Sequence, residues 1–322
     1  MLNFRKEIYP ATRGIAHALF ALTIWWIMMP VYSGFGYEEF SDFTGGHLKG
    51  TISIKGTLHA PKRFNLVLYA DPYYCGRISD GKGWRFSPIT RPGPNRSLPG
   101  AIVFLEYVPR GKPAPSKSSI VQTKDCMFLP YVSTAKAGQE FHFQNWDPVE
   151  HKLEIFLTSN TGGLHLFGQN VPPHPDNHKS DFLSEGTTGT HRAGLEVTYA
   201  MEKTGIVLFR CSYHEYMEGW GVVLPHPYVS RAGERGEFSI TDIPPGTYKL
   251  VVWHPMGQTT TTIHILPEET LDLNMEVPSL SATIYDESRP VPNPQSIELV
   301  GDAHIAPTVE LQQWNFPFQG SK

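Results

Sequence analysis

The segment FRCSYHEYMEGWG, residues 209–221, contains three side chains that soft metal ions prefer. Cys211, His214 and Met217 follow one another at Cys-x2-His-x2-Met spacing, directly after the apolar run Ile206–Phe209. A thiolate, an imidazole and a thioether this close together favour copper, since a trigonal nitrogen and sulfur set with a weak axial thioether is typical of an electron-transfer copper site. Such a site needs one more imidazole, which another part of the chain must supply.

Length and composition indicate a globular chain built mainly of short strands. The 322 residues include 29 Gly and 28 Pro, which cluster as turn signals between short apolar runs. A chain of this length has room for one or two packed domains. The formal net charge of -4 provides no basic field, so nucleic-acid binding has no support from charge.

The N-terminal segment, residues 1–36, has the pattern of a signal peptide or a membrane anchor. Arg5, Lys6 and Arg13 precede an apolar run from Ile15 to Val31. The run is long for the apolar part of a signal peptide and short for a membrane helix, which needs about 20 residues. We expect one N-terminal apolar helix here, with the rest of the chain in the periplasm or on the extracytoplasmic face of the membrane.

Export makes the three cysteines informative, because disulfides form and persist outside the cytoplasm. Cys75 and Cys126 can pair, which leaves Cys211 as the odd thiol. A free thiol in an oxidising compartment is a liability unless something occupies it. A bound metal would occupy Cys211.

Alternating and apolar runs predict strands through the middle of the chain. Ala101–Leu105 is continuously apolar, as expected for a strand buried on both faces. Glu140–Gln144 and Leu153–Leu157 alternate with the period of two that indicates one buried face. His151 therefore lies at the start of a strand, beside the loop Asn145–Glu150, and is the strongest candidate for the missing imidazole.

Two later segments lack a strand pattern. Residues 158–192 are mostly polar or small and predict a long loop rich in histidine, whose spacing matches no tetrahedral metal pattern. Residues 279–322 predict an extended tail whose aromatic side chains can contact a partner. The histidines of the loop and the aromatics of the tail are His165, His174, His178, His191, Trp314, Phe316 and Phe318.

Two motifs together resemble the ligand loops of a known family. Asn145-x-Asp147-x3-His151, taken with Gly205-x3-Phe209-x-Cys211-x2-His214-x2-Met217, resembles the cupredoxins, the small blue copper proteins, and the short second loop is similar to that of amicyanin. The resemblance covers roughly residues 138–225 and implies a Greek-key β-sandwich with one type 1 copper ion. The implied ligands are His151, Cys211, His214 and, on the axis, Met217.

Flanking segments extend the resemblance and suggest domain limits. Asp71–Gly76 and Cys126–Pro130 are similar to cysteine-containing segments of multidomain periplasmic cupredoxin-like proteins, and residues 227–254 resemble a carboxypeptidase-regulatory or transthyretin-like module. We expect an all-β chain with four parts. They are the signal or anchor at 1–36, a cupredoxin-like domain with an N-terminal β extension at 45–227, a small β-sandwich at 228–278 and the tail at 279–322.

One position departs from the family pattern. In cupredoxins an Asn commonly follows the first histidine ligand and helps to tie the two ligand loops together, whereas Lys152 stands there in this chain. The structure must therefore connect the loops in another way, because contacts behind the ligands orient them.

Three functional classes remain open from the sequence. The first is an exported type 1 copper protein that exchanges single electrons with a periplasmic or membrane redox partner. The second is a non-redox copper-binding, delivery or assembly module of the cell envelope. The third, a copper oxidase or reductase, lacks extra histidine pairs and a Cys-x3-Cys bridge, so we expect an electron carrier and not an enzyme.

The aromatic residues near the ligand loops have two interpretations of equal weight. They can form an apolar docking surface for a partner, or they can be ordinary packing and turn residues. The four residues concerned are Trp146, Tyr213, Tyr216 and Trp220.

Overall fold

Strands form nearly all of the regular structure in the computed structural model, which describes residues 36–58, 62–87, 92–159, 162–174 and 196–279. One helical turn, α1 (Pro72–Cys75), and two 3-10 turns, Leu66–Leu68 and Pro94–Arg96, join them. The strands are β1 (Glu38–Glu39), β2 (Gly46–Lys55), β3 (Arg63–Asn65), β4 (Trp84–Phe86), β5 (Ile102–Leu105), β6 (Arg110–Gly111), β7 (Ser119–Thr123), β8 (Phe128–Leu129), β9 (Val132–Lys136), β10 (Glu140–Asn145), β11 (His151–Ser159), β12 (Gly162–Val171), β13 (Glu196–Ala200), β14 (Gly205–Cys211), β15 (Glu218–Leu224), β16 (Val229–Arg231), β17 (Glu237–Ile243), β18 (Gly246–His254), β19 (Gly257–Ile265), β20 (Thr270–Asp272) and β21 (Met275–Pro278). The expected all-β fold class is confirmed.

The first sandwich holds the predicted ligand segments. One sheet has the strand order β13-β10-β7-β8, and the other has the order β12-β11-β14-β15-β9. Phe141, Phe143 and Phe209 meet between the sheets, with ring centroids 5.1–6.0 Å apart. Because β10 alternates apolar and polar residues, its phenylalanines enter this core while His142 and Gln144 lie on the outer face.

A second sandwich combines strands from both sides of residue 227. Its sheets have the orders β16-β5-β18-β19 and β17-β2-β20, with β21 also pairing with β2. Strands β2 and β5 come from the segment expected to belong to the first domain, so this sandwich is not built from residues 228–278 alone. Its resemblance to a carboxypeptidase-regulatory module stays a prediction.

Strand β5 is buried on both faces, as its apolar run predicts. Val103 and Leu105 pack into the core of the second sandwich, and Ile102 and Phe104 join a third core that lies between the two sandwiches. In that third core the rings of Trp220 and Trp253 lie 5.7 Å apart. Side chains that alternate between two cores need to be apolar at every position, which explains the unbroken run.

The predicted loop at residues 158–192 is wrong in its first part. Residues 162–171 form β12, which pairs with β11 along its whole length. β12 is an edge strand with exposed side chains, so backbone pairing stabilises it without an apolar face, and its polar composition concealed it. Residues 175–192 lie outside the described part of the chain.

Two terminal predictions fall on residues that are not described. The apolar run at residues 15–31 and nearly all of the tail at 279–322 are among them. Within the residues that the structure does describe, no helix is long and apolar enough to cross a membrane.

Candidate metal centre

The Cys211–Met217 loop is short and closes on itself. Strand β14 ends at Cys211, and β15 begins at Glu218. The Cys211 amide donates to the Met217 carbonyl (3.2 Å), and the Met217 amide donates to the His214 carbonyl (2.8 Å). These hydrogen bonds fix the backbone of the turn between two paired strands, so the positions of the loop side chains are fixed as well.

Three donor atoms from the two predicted segments converge inside the first sandwich. The Nδ1 atoms of His151 and His214 lie 3.2 Å apart, and the Cys211 sulfur lies 3.8 Å from the first and 3.4 Å from the second. All three residues are 0–1% exposed. The structure therefore brings together the histidine that starts β11 and the cysteine that ends β14.

These distances fit one small metal ion held in a plane. With bonds of about 2.3 Å to sulfur and about 2.05 Å to nitrogen, donors in a trigonal plane lie about 3.6–3.8 Å apart. The observed separations of 3.2, 3.4 and 3.8 Å lie within about 0.4 Å of those values. Met217 is also buried, at 1% exposure, and belongs to the same closed loop. The residues present thus fit copper by donor type and spacing.

Asp147 orients His151 from behind. Its Oδ2 lies 2.8 Å from His151 Nε2, and since a carboxylate accepts, that nitrogen carries a proton and Nδ1 is the nitrogen that faces Cys211 and His214. Asp147 also accepts from the Tyr74 hydroxyl (2.8 Å) and the Cys126 amide (3.0 Å). Burial alone would raise the pKa of Asp147, but these hydrogen bonds hold it below its ordinary value.

The cluster favours the thiolate form of Cys211. Burial alone would raise the pKa of the thiol, but the neighbouring imidazoles of His151 and His214 lower it to about 6. The thiolate is the form that ligates metals. The lowered pKa of Cys211 therefore favours the form of the thiol that binds a metal cation.

The two ligand segments are tied together by backbone, despite the departure at Lys152. The Ser212 amide donates to the Lys152 carbonyl (2.9 Å), which joins the residues that follow the two ligands. The Lys152 side chain instead lies 3.4 Å from Glu154 on the outer face. The connection that cupredoxins commonly make through an Asn side chain is made here without one.

A segment of residues 62–87, which we call the cap, covers the outward side of His214. The predicted disulfide between Cys75 and Cys126 is confirmed, and it fastens the cap to the first sandwich. His214 Nε2 lies 3.7 Å from the Cys75 sulfur and 3.8 Å from an Asp71 carboxylate oxygen. His214 is fully buried as a result.

Burial excludes two of the four nearby aromatics, Tyr216 and Trp220, from an exposed docking surface. Tyr216 is 4% exposed and Trp220 is 8% exposed. The Tyr216 ring packs at 5.2 Å from Tyr69 of the cap, and Trp220 lies between the two sandwiches. Of the four, Tyr213 alone counts among the exposed side chains, with 39% exposure.

Solved structures similar to this chain match about a third of it. A purple cupredoxin from Nitrosopumilus maritimus shows 15% identity and a TM-score of 0.25, over 33% of this chain and 99% of its own. A reduced amicyanin mutant shows 15% identity and a TM-score of 0.23, over 34% of this chain and 85% of its own. The Cu-containing nitrite reductase (NirK) from Thermus scotoductus SA-01 shows 18% identity and a TM-score of 0.24, over 35% of this chain and 23% of its own.

One prediction is corrected by this comparison. We expected an electron carrier and not an enzyme, but one of the similar structures is itself an enzyme, a nitrite reductase. The similarity therefore does not separate carriers from catalysts. No protein-family model and no curated protein match the chain.

Sequence reasoning missed the residues that surround the ligands. The sequence motif contains Asp147 but does not predict its hydrogen bond to His151. Arg85 was missed entirely, although it is 5% exposed and lies 4.9 Å from the Tyr216 ring. A useful signal for Asp147 was its position four residues before a candidate ligand within a turn, whereas Arg85 reaches the site only through the fold of the cap.

Proposed function

We propose that the chain is an exported type 1 copper protein that transfers single electrons by outer-sphere exchange with a redox partner. The proposed ligands are His151, Cys211, His214 and Met217. The observation that carries the proposal is the convergence of two imidazole nitrogens and one thiolate sulfur, at the spacing of a trigonal site, inside a buried loop. The proposal concerns the centre and holds whether the chain only carries electrons or also acts on a substrate.

The donor set and its frame both favour electron transfer. Copper, when bound, supplies the one-electron couple, and a plane of two imidazoles and a thiolate with a weak thioether suits both of its oxidation states. The chain contributes rigidity, because His151 and Cys211 lie on the paired strands β11 and β14, hydrogen bonds close the loop that holds His214 and Met217, and Asp147 holds His151. A site whose ligands hardly move allows an electron to pass without rearrangement.

The disulfide supports export, and the burial of His214 beneath the cap argues against copper delivery. A buried Cys75–Cys126 bridge is typical of proteins that work in an oxidising compartment such as the periplasm. Copper delivery, the alternative function, is disfavoured because His214 lies beneath a cap fastened by that bridge, and release would require the cap to move.

A visible absorption spectrum of the copper-loaded full chain tests the proposal. We expect an intense thiolate-to-copper band at about 600 nm. Cys211→Ser and His214→Asn should both lose it, since each removes one donor. His254→Asn is the matched control, because His254 is also buried but lies at the end of β18 in the second sandwich. A folded wild-type protein that stays colourless, or that retains zinc in preference to copper, contradicts the proposal.

A further inference from the structure

Arg85 is a buried cation of the cap that lies next to the ligand loop. It is 5% exposed, and its guanidinium carbon lies 4.9 Å from the centre of the Tyr216 ring. Tyr216 directly precedes the proposed ligand Met217, and its ring centroid lies 5.7 Å from that of His214. One aromatic ring therefore contacts both a buried positive charge and a proposed metal ligand.

The described residues place no carboxylate in direct contact with Arg85. Its Nη2 donates to the Asp125 carbonyl (2.9 Å), while the Asp125 carboxylate pairs with Arg77 (3.0 Å). Its Nη1 has no hydrogen-bond partner in the described part of the chain, and neither has the Tyr216 hydroxyl. Because burial of a charge without a counterion is unfavourable, stability alone does not explain an arginine at this position.

Arg85 interacts over a longer distance with the carboxylate behind His151. Burial lowers the pKa of Arg85, while interaction with Tyr216, Asp147 and Asp125 raises it. The guanidinium stays protonated, because arginine has an ordinary pKa above 12. Burial alone would raise the pKa of Asp147, but its hydrogen bonds hold that pKa below the ordinary value. Both charges are therefore present in the folded protein beside the proposed centre.

The charge balance of the proposed centre depends on its oxidation state. The Cys211 thiolate and the Asp147 carboxylate contribute two negative charges, which Cu(II) balances. Reduction adds one electron from an external one-electron donor, with no bond made or broken, and leaves one negative charge in a buried site. A positive charge held nearby stabilises this reduced form more than the oxidised form.

We propose that Arg85 raises the reduction potential of the metal centre by stabilising its reduced form. This inference rests on the proposed function. Arg85 acts through its charge and is not itself a ligand. The two contacts of 4.9 and 5.7 Å place that charge at most about 11 Å from the His214 ring, where, at an effective dielectric constant of about 20, a unit charge shifts a one-electron equilibrium roughly tenfold.

The test is the reduction potential of the copper-loaded full chain, titrated against a one-electron mediator of known potential. Arg85→Gln should shift the equilibrium about tenfold toward the oxidised form, which lowers the potential by about 59 mV. Arg85→Met keeps the apolar stem of the side chain and should give the same shift. Circular dichroism and urea unfolding of the metal-free variants check the fold separately, so Arg85→Met provides the measurement if Arg85→Gln does not fold.

Three control variants of the cap separate charge from packing. Arg77→Gln makes the same charge change at a side chain that is 43% exposed, so solvent screening should keep its shift below about twofold. Phe64→Leu weakens packing against the Tyr216 ring (6.1 Å) and should lower stability without moving the potential. Asp71→Asn removes a negative charge 3.8 Å from His214 Nε2 and should raise the potential.

The outcomes distinguish failure of this inference from failure of the proposed function. If the wild type shows the thiolate-to-copper band and a folded Arg85→Gln keeps the wild-type potential, Arg85 has only a packing role and the inference is overturned. Equal shifts in Arg85→Gln and Arg77→Gln would show a general charge effect and overturn it as well. A wild type without the band contradicts the proposed function, and the inference fails with it.

Discussion

The Cys75–Cys126 bridge should supply a large share of the stability of the first sandwich. The two cysteines are 51 positions apart in sequence. In the chain-entropy account, closing such a loop in the unfolded chain costs about 0.6 kcal/mol for the fixed part and about 3.5 kcal/mol for the dependence on loop length. The bridge should therefore stabilise the folded chain by about 4 kcal/mol at 25 °C, which is a large fraction of the 5–15 kcal/mol typical of a domain.

The perturbation that isolates this effect is reduction of the bridge in metal-free protein. Reduction removes no heavy atom, so both sulfurs remain in the core, whereas Cys75→Ala with Cys126→Ala also removes them. The free energy of unfolding is measured by urea denaturation of the oxidised protein, the reduced protein and the double variant. We use Cys211→Ser as the background for all three, so that no other thiol changes its state.

The expected order of stability is oxidised, reduced, then double variant. The first step should be about 4 kcal/mol and the second about 1–3 kcal/mol, because small buried side chains are lost. If the oxidised and reduced proteins unfold at the same urea concentration with the same slope, the bridge does not constrain the unfolded chain and the reasoning fails. A large second step with no first step would assign the stabilisation to packing alone.

Three further predictions concern the core, the metal centre and pH. Phe209→Ala should lower the free energy of unfolding by about 3–5 kcal/mol in urea denaturation, because the ring is fully buried among three other phenylalanines; a loss below 1 kcal/mol would contradict its place in the core. Asp147→Asn should weaken copper affinity by about 10–100-fold in a competition titration, whereas Tyr74→Phe, which removes one hydrogen bond to Asp147 and leaves His151 oriented, should weaken it far less. Burial lowers the pKa of His254 to about 3, so below pH 6.5 the unfolded chain binds a proton that the folded chain excludes. The free energy of unfolding should therefore fall by up to about 1.4 kcal/mol per pH unit as the pH is lowered from 6 to 4. His254→Asn keeps an acceptor for the Met256 amide without titrating, so an unchanged slope in that variant would refute this source of pH dependence.

Residue spacing and alternation in the sequence predicted the ligand loop and strand β11. Cys211, His214 and Met217 lie in one closed loop, and a spacing of three residues within a short turn brings the Cys211 sulfur within 3.4 Å of His214 Nδ1. The strand that begins at His151 follows from its period of two. The bridge between Cys75 and Cys126 could be predicted because assigning Cys211 to the expected metal site leaves a single pair of cysteines.

The features that the sequence did not predict depend on contacts between segments that are far apart in the chain. The burial of β2 and β5 is visible in their apolar residues, but burial alone does not say that they pair with strands after residue 227. β12 escaped prediction because an edge strand is stabilised by backbone pairing and needs no apolar pattern. The buried state of Tyr216 likewise depends on the cap, whose residues are far away in sequence.

The cap changes what the Cys211–Met217 loop means for recognition. On the sequence alone, the aromatics of that loop were candidates for contact with a partner, because they adjoin the ligands. The cap buries Tyr216 and His214 and places Tyr73 outermost instead. The residues on the surface over His214 therefore belong to a different segment of the chain from the proposed metal ligands. A substitution at Tyr73 would change that surface and leave every proposed donor atom in place, because Tyr73 is almost fully exposed.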